Sequence, residues 1–176
     1  EIYTLSLHDA LPILAYVPYA WEMVWSDYTV DNAYAQKMNE DGDLIKVSPV
    51  AIDAETKEGV TTYTATFLDS EIGPFTDEVV NENPMKVAAK KSVKASAKKN
   101  TTIKKAIVVK DAAGKVTYKK VSGNKKITVT KSGKIKVKKG LKKGKTYILK
   151  VKVNAAGNND YVADSKTVKI KVKVGK

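Results

Sequence analysis

The residues with the most evident chemical potential are lysines. The chain carries 32 basic side chains, all of them Lys, against 19 Asp and Glu, with one His and no Cys. Lys134, Lys136 and Lys138 alternate with apolar residues. So do Lys150 and Lys152, and so do Lys169, Lys171 and Lys173. That spacing sets them on the solvent side of strands as a candidate polyanion-binding array. The competing reading is a solvated face, because outward Lys also keeps a β-protein soluble and its edges unpaired. Nucleic acid is the disfavoured partner. Base reading leans on Arg, which is absent, and the basic half offers only Tyr118, Tyr147 and Tyr161 for stacking.

Other clusters are weaker. Trp21, Trp25 and Tyr28 are candidate glycan-stacking residues, although Trp21 and Trp25 also fit packing on a short element, the favoured reading. Gly140-Leu141-Lys142-Lys143-Gly144-Lys145-Thr146 imitates a phosphate loop. It has three residues between the glycines where that motif needs four, and a period-two run follows instead of a helix, so it reads as a turn. Asn39-Glu40-Asp41-Gly42-Asp43 gathers oxygen ligands without the calcium-loop spacing and reads as a solvated acidic loop. Nothing in the spacing of Glu22, Asp27 and Asp31 singles out an acid–base pair. Without Cys there is no disulfide, thiol nucleophile or Cys-ligated zinc. No enzyme activity, metal or cofactor is expected.

The elements that must carry these residues are strands. Ile127/Val129, Ile135/Val137, Tyr147/Leu149/Val151/Val153 and Val168/Ile170/Val172/Val174 each recur with period two. Turn signals separate them: Ala113-Gly114, Ser122-Gly123-Asn124, Ser132-Gly133, Gly140 to Gly144, and Gly157-Asn158-Asn159-Asp160. In the first half, strands are expected at Leu14–Tyr19, Tyr34–Met38, Leu44–Val50, Thr61–Phe67 and Phe75–Val80. The fold class expected is all-β, with short strands in sandwiches. No apolar run reaches about 18 residues, so no membrane insertion is expected.

The net charge of +13 hides a division. Residues 1–84 hold 3 Lys against 16 Asp and Glu, a net −13; residues 85–176 hold 29 Lys against 3 Asp, a net +26. An acidic module, 14–83, is therefore expected before a basic one, 84–176, with the boundary near Asn83-Pro84.

The basic half carries a resemblance. NPMKV, GNKKI, SGKI, KKGLKKG and AAGNxxY, with their spacing, resemble a Lys-rich bacterial Ig-like repeat over residues 84–176. Such repeats are common in surface and secreted proteins of gut Clostridia and related Gram-positive bacteria. The acidic half resembles a second surface-protein repeat through Tyr19, Trp21 and the run Gly59–Phe67. Relatives of that repeat often carry two Cys where this chain aligns Met38 and Glu55, so the disulfide it implies is lost. The resemblance implies two Ig-like, β-sandwich-type modules in tandem. They would form a non-catalytic spacer or adhesion segment outside the cell; the charge of the Lys-rich module carries the further expectation that it docks on anionic cell-wall polymers or host glycans. The alternative it allows is a C-terminal glycan- or polyanion-binding appendage of a secreted hydrolase whose catalytic domain lies upstream.

Residues 1–13, EIYTLSLHDALPI, back-translate in frame to a sequence resembling a short-read sequencing adapter. They are set aside from fold reasoning. The exclusion removes His8, Glu1 and Asp9, leaving about 163 residues with no His and a net charge of +15. It carries the expectation that the natural chain extends upstream and that an export signal is missing through truncation.

Overall fold

A computed structural model describes residues 20–175. The adapter-like segment with His8 and the expected strand at Leu14–Tyr19 lie outside these residues. The described chain is all-β. Its fifteen strands are joined by turns, and its only helical element is one 3₁₀ turn, Val30–Asn32. Contacts divide it into two compact units, the first reaching to Glu55 and including Thr62–Glu78, the second made of Thr56–Thr61 and the residues from Val79 onward.

In the first unit, β1 (Glu22–Trp25), β2 (Ala33–Met38) and β3 (Leu44–Val47) form an antiparallel sheet in chain order. The register pairs Trp25 with Ala33, Met23 with Ala35 and Ala35 with Val47, so these residues share one face. Ala33 and Ala35 are fully buried beneath their larger neighbours. The Asn39–Asp43 stretch is the β2–β3 hairpin turn. The Asn39 side chain accepts the Asp43 N–H at 2.7 Å, and Gly42 has φ +87°. A second sheet runs β4 (Ala51–Lys57), β5 (Val60–Thr66) and β6 (Phe75–Val80). Phe67 and Phe75 meet edge to face at 6.0 Å between ring centres.

The second unit contains β7 (Lys86–Ala89), β8 (Ser92–Ala95), β9 (Thr101–Ile103), β10 (Ile107–Lys110) and β11 (Val116–Ser122). After them come β12 (Ile127–Val129), β13 (Ile135–Val137), β14 (Thr146–Ala155) and β15 (Asp164–Val174). One sheet has the order β11-β14-β15-β8, a second β12-β13-β9, and a pair joins β10 to β7. The longest ladder is β14 against β15, from Thr146↔Lys173 to Ala155↔Asp164.

Period-two patterning explains the burial. Leu149, Val151, Val153, Ile170 and Val172 are fully buried, while Lys150, Lys152, Lys169, Lys171 and Lys173 between them are exposed. Ile148 follows the same parity outward and is 45% exposed despite being apolar. Ile127, Ile135 and Val137 of the other sheet join the same apolar cluster, which closes the sandwich. Each such side chain contributes about 1.5–3 kcal/mol when fully buried. Ser132-Gly133 turns β12 into β13. Gly133 has φ +77°, and a Cβ there would crowd the Tyr118 ring, so both conformation and space call for Gly.

Candidate polyanion-binding faces

The eight candidate lysines are all exposed, and the structure divides them between two surfaces. Lys150 and Lys152 lie on β14, and Lys169, Lys171 and Lys173 on β15, all on the outer face of the four-stranded sheet. Lys136 lies on β13, with Lys134 and Lys138 flanking the strand, on the outer side of the three-stranded sheet. Both sheets turn their apolar residues into one core. The two lysine groups therefore point away from each other, where the sequence pattern alone presents one array.

The five on the four-stranded sheet form a two-dimensional field. Lys150 stands directly opposite Lys169. Lys119 of β11 stands opposite Lys152, and Lys94 of β8 opposite Lys173. Lys119 and Lys94 extend the field beyond the candidates read from sequence. The alternation of Val116 and Tyr118 with Thr117 and Lys119 was the available signal for Lys119, before a bulge past Lys120 breaks the parity. Lys94 sits on a strand whose Ala, Lys and Ser content hides it. Around Lys136, by contrast, the opposite residues are Thr128 and Thr102.

The three Asp of the basic half do not neutralise the larger field. Asp111 pairs with Lys86 at 3.0 Å and Asp164 with Lys166 at 3.7 Å, while Asp160 sits in a turn. Like charges set directly across a sheet repel, so this face carries an electrostatic cost; at its end Asp164 shares a pocket with Lys152. Lys91, Ser92, Lys169, Lys171 and Lys173 line a shallow groove of about 370 Å³ on it.

Several other lysines have structural work. Lys120 Nζ donates to the carbonyls of Asn124 and Ile127, both at 2.7 Å. Lys126 Nζ donates to Gly140 O at 2.8 Å and Lys166 Nζ to Met85 O at 2.6 Å. Their charges cap loop carbonyls and are not free for a ligand.

Trp21 and Trp25 are half-buried. The Lys37 ammonium lies 4.6 Å from the Trp21 ring centre, a cation–π contact that occupies one face of the indole. Trp25 leans on Tyr28 at 5.4 Å, and Tyr28 stacks on Tyr63 at 4.0 Å with 16° between the rings. Tyr28 has φ +57°, an uncommon conformation for a non-Gly residue. Its hydroxyl donates to Asp77 Oδ2 at 2.7 Å, and that bond raises the phenol above its ordinary pKa. Beside it, the Thr29 hydroxyl bond holds Asp27 below the usual carboxylate value. The aromatic rings thus spend much of their area on one another.

Gly140–Thr146 leads into strand β14, with no helix end to receive a phosphate. Among the described residues no three or more acidic side chains gather as metal ligands, and no helix is long and apolar enough to cross a membrane.

No family model matches the chain, and no curated protein does. Among solved structures it is similar to the N-terminal eight Ig domains of Down Syndrome Cell Adhesion Molecule isoform 1.30.30. The likeness is at 13% identity and a TM-score of 0.28, over 89% of this chain and 20% of that one. This chain thus spans about a fifth of that structure's length. At such a score the likeness carries no argument about role, and the all-β architecture rests on the strands and sheets themselves.

Proposed function

We propose that this chain is a non-catalytic spacer and adhesion segment of a secreted or cell-surface bacterial protein. In this reading an acidic β-module, 14–83, precedes a Lys-rich Ig-like module, 84–176, of the kind found in Gram-positive surface proteins. The Lys-rich module docks on anionic envelope polymers through many weak, screened contacts. The observation that carries the reading is the outward Lys on a closed sandwich. The apolar half of each strand is consumed by the core, which leaves a cationic exterior as the surface available for recognition. The sequence resemblance of residues 84–176 supports the family and the location.

The test is retention of the purified chain on immobilised anionic wall polymer across a salt series. Binding should fall steadily with the logarithm of salt concentration yet persist at about 0.15 M, where the screening length is about 8 Å. Complete loss of binding by that ionic strength removes the docking role and leaves a spacer.

A further inference from the structure

We propose that the outer face of the β11-β14-β15-β8 sheet is the docking surface, and that its occupant is a linear phosphodiester polymer without bases. This rests on the polyanion reading above and assigns it a place and a chemistry.

The first observation is the strand order. β14 and β15 are interior strands, paired on both sides. Their lysines therefore guard no edge, and protection against edge-to-edge pairing does not account for them. The second is the register. Lys150↔Lys169, Lys119↔Lys152 and Lys94↔Lys173 are direct like-charge pairs on one face, and no carboxylate stands among them. A row of bound anions turns each repulsive pair into a clip that holds one negative group between two ammoniums. On the β13 side the ladder itself holds no such pair: Lys136 is flanked by threonines, and Lys138, just past the strand, meets Lys126, whose ammonium is already engaged by Gly140 O.

The third is the pitch. Lys169, Lys171 and Lys173 recur at every second residue of a strand, about 6.8 Å apart. This suits a flexible chain carrying one charge per repeat better than a single compact anion.

The chemistry of the face selects among polymers. The chain has no Arg for planar, two-point recognition of carboxylate or phosphate; its Lys acts as a point charge, a mode in which it still binds phosphate. The neighbours of the lysines are hydroxyls. Ser92 lies opposite Lys171, Thr146 opposite Lys173 and Thr167 opposite Lys152. They can hydrogen-bond phosphate oxygens or a polyol. Ile148, opposite Lys171, is the apolar member. No aromatic ring stands at these positions, so bases find nothing to stack on.

The test uses the full chain and two charge-matched variants, K169Q/K171Q/K173Q on β15 and K134Q/K136Q/K138Q around β13. The probe is synthetic poly(glycerol phosphate), with affinity measured between about 50 and 200 mM salt. The β15 variant should bind at least about tenfold more weakly, with its salt slope reduced by about two, whereas the β13 variant stays within about twofold. Unliganded, the β15 variant should melt at or above the temperature of the unaltered chain, because it loses repulsive pairs. Weakened binding with an intact melt separates a lost docking face from a damaged fold.

Equal weakening by both variants overturns the assignment to this face while leaving polyanion docking in place. No binding by the unaltered chain at low salt removes docking altogether. Tighter binding of an oligothymidylate or a sulfated oligosaccharide of matched charge, through the same lysines, overturns the phosphodiester assignment.

Discussion

Asn83 is the sharpest place to test the physical account of the second unit. It is 7% exposed and makes three hydrogen bonds. Its Nδ2 donates to Ala113 O at 3.1 Å and Val162 O at 3.0 Å, and its Oδ1 accepts the Ala113 N–H at 3.0 Å. One side chain thus ties together two loops that are 30 and 79 residues away along the chain. Asn83→Ala removes all three bonds. Ala113 O retains the Gly157 N–H, so the main losses are at Ala113 N and Val162 O. At about 1 kcal/mol for each neutral bond the cost is about 2–3 kcal/mol. For a domain of this size, that lowers Tm by about 10–20 °C. Asn83→Asp sharpens the test. The introduced carboxylate still accepts from Ala113 N but turns an acceptor toward two carbonyl oxygens. At neutral pH it should therefore cost more than Asn83→Ala. Its pKa is raised in the folded state, so stability should return as pH falls below that value and a protonated oxygen donates again. Urea melts by circular dichroism, with amide hydrogen exchange in β14, measure both effects. An Asn83→Ala cost below about 0.5 kcal/mol, or an Asn83→Asp variant that tracks Asn83→Ala at every pH, would refute the reasoning.

Two further outcomes follow from parity and hydrogen bonding. Leu149→Ala should destabilise the second unit by about 2–5 kcal/mol, whereas Ile148→Ala, one residue away on the exposed side, should change it by less than about 0.5 kcal/mol; paired urea melts read both. In alkaline absorbance titrations, Tyr28 and Tyr118 should ionise later than ordinary phenols, Tyr28 through its bond to Asp77 and Tyr118 through burial. Both raised values mean that the folded state favours the neutral phenol. Their contribution is complete below about pH 10 and is lost as pH rises through the folded-state pKa values. Asp77→Asn should move one late phenol, and one only, back toward the ordinary range.

The strands of the second unit were legible wherever one face was aliphatic and the other Lys. In β13, β14 and β15 residue type matches exposure apart from outward Ile148, because a one-residue shift would bury the lysines. The strands β7 and β8 carried no such signal. Lys86–Ala89 and Ser92–Ala95 are rich in Ala, Lys and Ser, which have little intrinsic strand preference; their pairing with β10 and β15 places them. Asn83 looked like a linker residue before a proline. Its role depends on loops far away in sequence, which local pattern cannot report.

The site was legible in residue type and not in arrangement, and the reason is topological. Alternation says that Lys136 and Lys171 both point outward, but says nothing of which sheet each strand joins. Placing β13 between β12 and β9 gives Lys136 two threonine neighbours, while placing β15 between β14 and β8 puts Lys169 and Lys173 against other lysines. The same side chain thus has a different electrostatic meaning in the two sheets. Both strands are interior, so neither set of lysines guards an edge; a lysine facing threonines bears little repulsion, whereas one facing another lysine raises the energy of its own sheet. Strand order, more than net charge, therefore decides which lysines of this lysine-rich surface face one another.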